Sequence, residues 1–370
     1  MPDYSKRIER LQSVMKAQVA DIAVFSFSDQ MRYLTGYAED GHKRFLALFV
    51  PSIGDPIFLV PAMNAPQARS NPAGIASVVG WEDSAGWHRE ARELFDTLNA
   101  GGSHSTLIDD ELFAVHLIGL QRLFPEMRFL PAEETMAILR SIKTNEEISS
   151  LKNAAELIDD VYEDSINHIR EGMTETELKD IIETSIRKHG SSPSFMPLIC
   201  FGMNGAMPHH SADATRLKRG DTIVIDIGCT WDNYCSDITR TVSFGQPGDS
   251  AAPHIYDIVY RAHKAAQASA HTGVSCSEVD AAARNLISEE GYGEFFIHRL
   301  GHGIGLSGHE PPYLHSANAS ILQTGMCFSI EPGIYLPGRF GIRIENIVQM
   351  TDSGAASLNA EPSSSLIVLQ

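Results

Sequence analysis

The sequence has no long apolar run and no export signal. Its densest apolar stretch, FLALFV at 45–50, has the length of a strand and falls far short of the roughly 20 residues that a membrane-spanning helix needs. The N-terminus, MPDYSKRIERLQSVMKAQ, has charges where a secretory signal would have its apolar segment. We therefore expect no contact with membranes and a cytoplasmic location.

Basic residues and patterned cysteines are also scarce. Lys and Arg total 29 against 47 Asp and Glu, a formal net charge of −18, whereas nucleic acids and anionic membranes favour basic patches. The five cysteines are odd in number and form no C-x-x-C pair. We therefore expect no nucleic-acid partner, no disulfide framework and no thiolate zinc site, and we interpret the cysteines as buried free thiols.

Length and pattern predict two domains in the 370 residues. Residues 1–140 alternate helix and strand patterns, which predicts an N-terminal α/β domain. Residues 141–370 run helices, strands, helices, strands, which predicts an α+β domain whose antiparallel or mixed sheet has helices packed on one side. Capping boxes predict three helices here: Thr144 with Glu147, continuing to Gly172; Thr174 with Glu177, ending near Gly190; and Ser275 with Glu278, ending before Gly291.

Two aspartates stand eleven residues apart in the strand-like stretch VIDIGCTWDNYCSD, at 226 and 237. If Asp232 and Asn233 form a two-residue hairpin turn, Asp226 lies opposite Thr239 and shares a strand face with Asp237. The two carboxylates could then bind one cation or bridge two. A three-residue loop would send them to opposite faces, and both could simply be exposed acids of an edge strand.

Further metal-binding side chains follow in the C-terminal half. HRLGHGIGLSGHE at 298–310 gathers histidines among glycines, SIEPGIY ends a strand-like run at Glu331, and IRIEN places Glu345 in another, with Arg343 on the same strand face. Aspartates, glutamates and one histidine form an oxygen-rich set suited to Mn²⁺, Co²⁺, Fe²⁺ or Zn²⁺. Four carboxylates would leave excess charge around one cation, whereas two divalent cations would balance them.

These segments resemble the pita-bread metallopeptidases, which include prolidase, aminopeptidase P and methionine aminopeptidase, together with the metal-free relative creatinase. The resemblance rests on MPHHSAD, DIGCTWDNYCSDITRTV, HRLGHGIGLSGHEPP and GMCFSIEPGIYLPGRFGIRIEN, and more weakly on MRYLTGY and ILRSIKTNEEI in the N-terminal part. It implies a creatinase-like α/β domain followed by a C-terminal pita-bread domain that holds a dinuclear metal site.

The resemblance also implies roles for single residues. Five would bind the metals, with Asp237 and Glu345 as bridges: Asp226, Asp237, His302, Glu331 and Glu345. His209 and His309 would hold the substrate and stabilise the developing oxyanion, and Arg343 would orient the site through the bridging glutamate. Glu331 would also take a proton from the water that bridges the metals and pass it to the leaving amine. His210, beside His209, is interpreted as a solvated neighbour.

The activity implied is metal-dependent hydrolysis of the Xaa-Pro bond of dipeptides or short peptides, with Mn²⁺ favoured and a homodimer expected. One alternative is hydrolysis of a non-peptide C–N bond, in an amidino compound or a cyclic amidine such as ectoine. Another is a binding protein without activity, although such relatives usually lose ligands and all five positions hold ligands here.

Overall fold

Residues 2–98 and 105–370 are described by a computed structural model, in which the chain divides into two units, Met1–Arg140 and Ser141–Gln370. In the first unit, strands β1 to β6 form one sheet in the order β4-β3-β2-β1-β5-β6. The strands are β1 (Ile22–Ser26), β2 (Ala47–Pro51), β3 (Ile57–Pro61), β4 (Ser77–Trp81), β5 (Ser105–Ile108) and β6 (Arg128–Pro131). The β1–β2 and β2–β3 pairs are antiparallel and the others parallel, so the sheet is mixed.

The helices of this unit alternate with most of its strands along the chain. They are α1 (Tyr4–Ala17), α2 (Asp29–Thr35), α3 (Ala65–Arg69), α4 (His88–Leu98), α5 (Ala114–Leu123) and α6 (Glu133–Arg140). Strands β1 and β2 are buried along their whole length, because helices and neighbouring strands cover both faces of a sheet of this kind. The α/β class predicted for this part of the chain is confirmed.

The second unit contains two main sheets. Its helices are α7 (Asn145–Ile166), α8 (Glu175–Lys188), α9 (Ala252–Ser269) and α10 (Cys276–Glu289). The first sheet has the order β19-β11-β8-β7 and the second β13-β12-β14-β17-β18, with β9–β10 and β15–β16 as separate pairs. The strands are β7 (Leu198–Phe201), β8 (Thr222–Ile227), β9 (Thr230–Trp231), β10 (Tyr234–Cys235), β11 (Ile238–Phe244), β12 (Gly301–Gly303), β13 (Glu310–Leu314), β14 (Cys327–Ile330), β15 (Gly333–Leu336), β16 (Phe340–Arg343), β17 (Asn346–Thr351), β18 (Gly354–Ser357) and β19 (Ile367–Leu369).

All three predicted capping boxes form, with reciprocal bonds between the Ser or Thr hydroxyl, the Glu carboxylate and the backbone. The helix ends are less regular. Helix α7 ends at Ile166 and not at Gly172, since Asn167 caps it and the following residues form a loop that reaches the positive φ of Gly172. Helix α9 has no side-chain cap at Ala251, so it lacks the capping box that marks the other three helices, and its start is marked only by Pro253 in the first turn.

Each main sheet of this unit packs against a helix pair. One apolar core joins α7 and α8 to β7, β8 and β11, and another joins α9 and α10 to β13, β14, β15, β16 and β17. All five cysteines are buried and free, as predicted. In the part of the chain that the structure describes, no helix combines the length and apolar character needed to cross a bilayer.

Candidate metal centre and substrate cavity

The hairpin that bears Asp226 and Asp237 has the register predicted from a two-residue turn. Trp231 pairs with Tyr234 next to the turn, and Asp226 lies opposite Thr239 in the β8–β11 ladder. Asp237 comes two residues before Thr239, so its side chain points to the same face as that of Asp226. The alternative, a three-residue loop with the acids on opposite faces, is excluded.

Backbone geometry explains why this register is stable. Asp232 and Asn233 have φ of 49° and 68°, the left-handed values that a type I′ turn requires. A side chain at Gly228 would overlap the carbonyl oxygen of Ser236 and the hydroxyl of Ser194. Glycine at this position therefore allows the two strands to approach each other directly beside the acids.

Two overlapping groups of side chains meet beyond this hairpin. Oxygens of Asp226, Asp237 and Glu345 lie within 4.8 Å of one another, and so do the ligand atoms of His302, Glu331 and Glu345. Glu331 follows β14, as predicted. Glu345 differs from the prediction: it lies in the break between β16 and β17, and its N–H donates to the carbonyl oxygen of Thr239 at 3.0 Å.

Three carboxylate oxygens of this cluster are buried and have no hydrogen-bond donor among the described residues: Oδ1 of Asp226, Oδ1 of Asp237 and Oε1 of Glu345. A buried, ionised oxygen without a partner costs several kcal/mol. Because the three belong to side chains that converge on one point, a bound cation is the partner that would satisfy all of them.

The unprotonated ring nitrogen of His302 faces the acids of the cluster. Its Nδ1 lies 3.0 Å from the carbonyl oxygen of Gly303, which can only accept, so Nδ1 bears the proton. Its Nε2 lies 3.4 Å from Oε1 of Glu331 and 3.7 Å from Oδ2 of Asp237. Burial lowers the pKa of His302 well below its usual range, so the ring is neutral and suited to bind a metal.

Three acids of the cluster have a raised pKa. Burial, followed by the neighbouring carboxylates, raises the pKa of Asp237 and of Glu345 well above the usual range, and burial raises that of Glu331 to about 7. The Arg343 guanidinium beside them lowers these pKa values, but one positive charge does not offset four carboxylates. The donor set, four carboxylates and one neutral imidazole, therefore fits hard or borderline divalent cations.

Arg343 joins the cluster to its surroundings. Its guanidinium donates to Oδ2 of Asp226 at 2.5 Å, to the hydroxyl of Thr239 at 3.0 Å and to the Tyr335 oxygen at 2.9 Å. Thr239 in turn donates to Oε2 of Glu345 at 2.8 Å. Arg343 thus contacts Asp226 directly and is linked to Glu345 only through Thr239. The sequence interpretation had placed its effect on the bridging glutamate, Glu345.

A cavity of about 740 Å³ opens over the cluster, lined by its acids and by His209, His298, Arg299 and His309. His209 and His309 are exposed. The ring centroids of His302 and His309 lie 3.8 Å apart, because the chain folds back between β12 and β13. The two histidines seven residues apart therefore meet on one side of the site, which a straight strand would not allow.

Several residues of the cavity were not predicted. The Tyr335 hydroxyl donates to Nε2 of His298 at 2.8 Å, while Nδ1 of His298 donates to the carbonyl oxygen of Arg299 at 2.7 Å. Burial lowers the pKa of His298 to about 4, so the ring stays neutral. His298 stood in the histidine-rich motif and could have been found there. Nothing in the sequence singles out Tyr335, and Thr239 entered the prediction only as the residue opposite Asp226.

His210 is also placed differently from the interpretation as a solvated neighbour. Its side chain is 11% exposed, and its Nε2 lies 2.7 Å from Oε2 of the buried Glu175.

Comparison with known proteins agrees with this architecture. Residues 149–352 match the model of Metallopeptidase family M24, and residues 7–142 match the Creatinase/Prolidase N-terminal domain. The chain belongs to family M24. The pita-bread resemblance and the predicted combination of an α/β domain with an α+β catalytic domain are thereby confirmed, and a metallopeptidase with divalent metal ions is the class of activity.

Individual relatives cover nearly the whole chain. An uncharacterized peptidase from Staphylococcus saprophyticus is 36% identical over 353 residues, 95% of this chain and 98% of that protein. The prolidase from Thermococcus sibiricus superposes with a TM-score of 0.95 at 34% identity and full coverage of both chains. The Xaa-Pro dipeptidase from Bacillus anthracis gives a TM-score of 0.88 at 30% identity, covering 99% of this chain and all of the other.

Proposed function

We propose that this protein hydrolyses the Xaa-Pro bond of dipeptides with two divalent cations, Mn²⁺ first among them. The ligands would be Asp226, Asp237, His302, Glu331 and Glu345, with Asp237 and Glu345 between the cations. The observation that supports this most strongly is the convergence of three buried carboxylate oxygens without donors. The prolidase and Xaa-Pro dipeptidase names of the similar structures support the choice of substrate.

The cations would supply Lewis acidity and lower the pKa of the attacking water. Glu331 is the proton carrier among the protein's own groups. Its Oε1 accepts from the Ser329 hydroxyl at 3.2 Å, which fixes the carboxylate beside the position of the attacking water, where it could take a proton and return it to the leaving amine.

The exposed imidazoles His209 and His309 would bind the substrate and donate to the oxygen on which negative charge develops. His309 is exposed as a residue, but its ring faces the cavity, where partial desolvation, followed by the nearby Arg299 charge, lowers its pKa. The ring is therefore neutral at physiological pH and can still donate through its one N–H. Hydrogen bonds aimed at a developing charge act mainly in the transition state. Both side chains should therefore affect turnover more than metal binding.

Arg299 favours a dipeptide over a longer peptide. It lines the cavity, its guanidinium lies over the Tyr313 ring at 4.5 Å, and it forms no salt bridge with the part of the chain that the structure describes. A guanidinium held by an aromatic ring can receive a carboxylate in two parallel hydrogen bonds. The free C-terminal carboxylate of a dipeptide is such a group.

The test compares substrates on Mn²⁺-loaded protein: Xaa-Pro dipeptides, the same dipeptides as C-terminal amides, longer Xaa-Pro peptides, an amidino compound and a cyclic amidine. We expect cleavage of dipeptides, with the amides slower by about tenfold or more. Turnover of the amidine without any Xaa-Pro cleavage would favour the non-peptide alternative. Metal binding without turnover of any substrate would favour a binding protein.

We also propose a cytoplasmic homodimer. Light scattering coupled to size-exclusion chromatography should give about twice the 40.5 kDa of one chain. A mass of one chain at micromolar concentration would contradict the dimer.

A further inference from the structure

His209 lies at the third position of a tight turn. The His210 N–H donates to the carbonyl oxygen of Met207 at 3.1 Å, and Pro208 occupies the second position, where its fixed φ favours such turns. Among the described residues, none forms a hydrogen bond with the exposed His209 ring. The backbone of the turn therefore sets the position from which this imidazole projects, and the groups that hold the turn matter for the site.

The Glu175 carboxylate is the strongest of these groups. It is fully buried at the start of α8, beside the capping residue Thr174. It accepts four hydrogen bonds: from the N–H of Phe201 at 2.7 Å, the amide of Asn204 at 2.9 Å, the N–H of Asp213 at 3.0 Å and Nε2 of His210 at 2.7 Å. An ionised carboxylate with every oxygen satisfied is a rigid anchor, since losing any donor would leave buried charge without a partner.

These bonds fix the turn from both sides. His210, the residue after His209, is tied to Glu175, and the carbonyl oxygen of Pro208, the residue before it, accepts from Arg343 at 3.5 Å. Arg343 also donates to Asp226 of the metal cluster. The turn is thus held between the start of α8 and the cluster itself.

A second metal site is the competing explanation for this cluster. Ligand atoms of Glu175, His210 and Asp213 do lie within 4.8 Å of one another. Both oxygens of Glu175 already accept two hydrogen bonds each, however, and Asp213 is exposed and accepts from the Thr215 N–H at 2.6 Å. The group is complete without a cation.

The other substrate histidine has the same arrangement. His309 is exposed, and the following residue, Glu310, forms a buried ion pair with Lys143, Nζ to Oε1 3.0 Å, with side chains 5% and 2% exposed. In both places, an exposed imidazole is followed at once by a residue whose side chain contacts a buried partner, Glu175 for His210 and Lys143 for Glu310.

We infer that Glu175 and His210 are positioning residues: through the turn Met207–His210, they hold the His209 imidazole toward the reacting carbonyl. The inference rests on the proposed function for its kinetic part. Misplacing a catalytic group by about 1 Å can lower turnover about 100-fold. We therefore expect the His210 contact to affect kcat, through His209, without affecting the metal ligands.

The experiment is a double-mutant cycle on Mn²⁺-loaded protein with His209→Ala, His210→Ala and both together. His210→Ala should lower kcat about 10- to 100-fold, with metal content and Tm near wild type. The double variant should be no slower than His209→Ala alone. His210→Gln, whose amide can reach Glu175 as the ring does, should recover most of kcat, and His168→Ala, at an exposed histidine after α7, is the matched control.

The inference would be overturned if the kcat losses of the two single variants multiply in the double variant. It would also be overturned if His210→Gln has a kcat no higher than that of His210→Ala. A second readout needs no substrate: in zinc-loaded protein with ¹⁵N-labelled histidine, the His209 ring signals should shift and broaden in His210→Ala and in Glu175→Gln. Unchanged signals in both variants would also overturn it. If the wild-type protein cleaves no Xaa-Pro dipeptide, the proposed function fails. The His209 ring signals would still show whether Glu175 and His210 position that ring.

Discussion

The metal cluster and the two substrate histidines are built in different ways. Asp226, Asp237 and Glu345 are buried, and their backbone lies on or beside paired strands. His209 and His309 are exposed on connecting segments, and the residue that follows each of them contacts a buried side chain, Glu175 or Lys143.

This difference matches the two tasks. Carboxylates that share cations must converge closely, and a strand ladder fixes their spacing from the backbone outward. Groups that bind a substrate must face the solvent from which it arrives, so they cannot be fixed by their own burial. Rigidity then has to come from a neighbour, and the buried contacts of the adjacent side chains can provide it.

The largest effect is expected from the cluster itself. Asp237→Ala and Glu345→Ala should each lower metal content sharply and reduce kcat by about 1,000-fold or more, because each removes a ligand that two cations would share. Glu289→Ala, at an exposed acid of α10, is the matched control. Full activity in either variant without bound metal, measured by elemental analysis, would refute the ligand assignment.

A smaller loss is expected at the histidines. His309→Ala should keep the metals and lower kcat about 100-fold, since it removes a donor to the developing charge and no ligand. The oxygens of Asp237 and the rings of His302 and His309 lie close enough for His309 to be a ligand by distance alone. The metal content of His309→Ala therefore distinguishes the two roles: loss of a metal ion in this variant would show that His309 is a ligand.

Removing the metals should make stability depend on pH. Glu331 has a folded pKa of about 7 against an ordinary 4.5, so the folded, metal-free protein binds more protons than the unfolded chain between these values. Its stability should then fall by about 1 kcal/mol per pH unit as pH rises through this window. The Tm difference between metal-loaded and chelator-treated protein should widen from pH 5 to pH 7.

The variant Glu331→Gln provides the control for this pH dependence. An uncharged amide does not titrate, so the metal-free variant should show a shallower decline of Tm with pH. A decline as steep as that of the wild type would assign the effect to other groups.

The sequence was most informative where one local rule decides the geometry. The period of two in strands and the turn at Asp232 and Asn233 were enough to predict that Asp226 and Asp237 share a face. The three capping boxes likewise depend only on residues three apart, and all three form.

It was least informative where distant segments meet. Glu175 and His210 are 35 residues apart, and Lys143 and Glu310 are 167 apart, so no local pattern reveals either pair. Arg343 was found, but its partner was misjudged, because the sequence cannot show that Thr239 lies between it and Glu345. The sequence therefore located reactive groups better than the groups that hold them.

The smallest effect should come from the turn that sets the hairpin register. Asn233 has a φ of 68°, and replacing it with alanine should cost about 1 kcal/mol, because a β-carbon is strained there and alanine lacks the local bonding of asparagine. Asn233→Gly, which accepts this φ freely, should be close to wild type in urea unfolding. If the ladder alone keeps Asp226 beside Asp237, metal content stays unchanged in both variants; loss of metal in Asn233→Ala would mean that the turn, and not the ladder, sets the spacing of the acids.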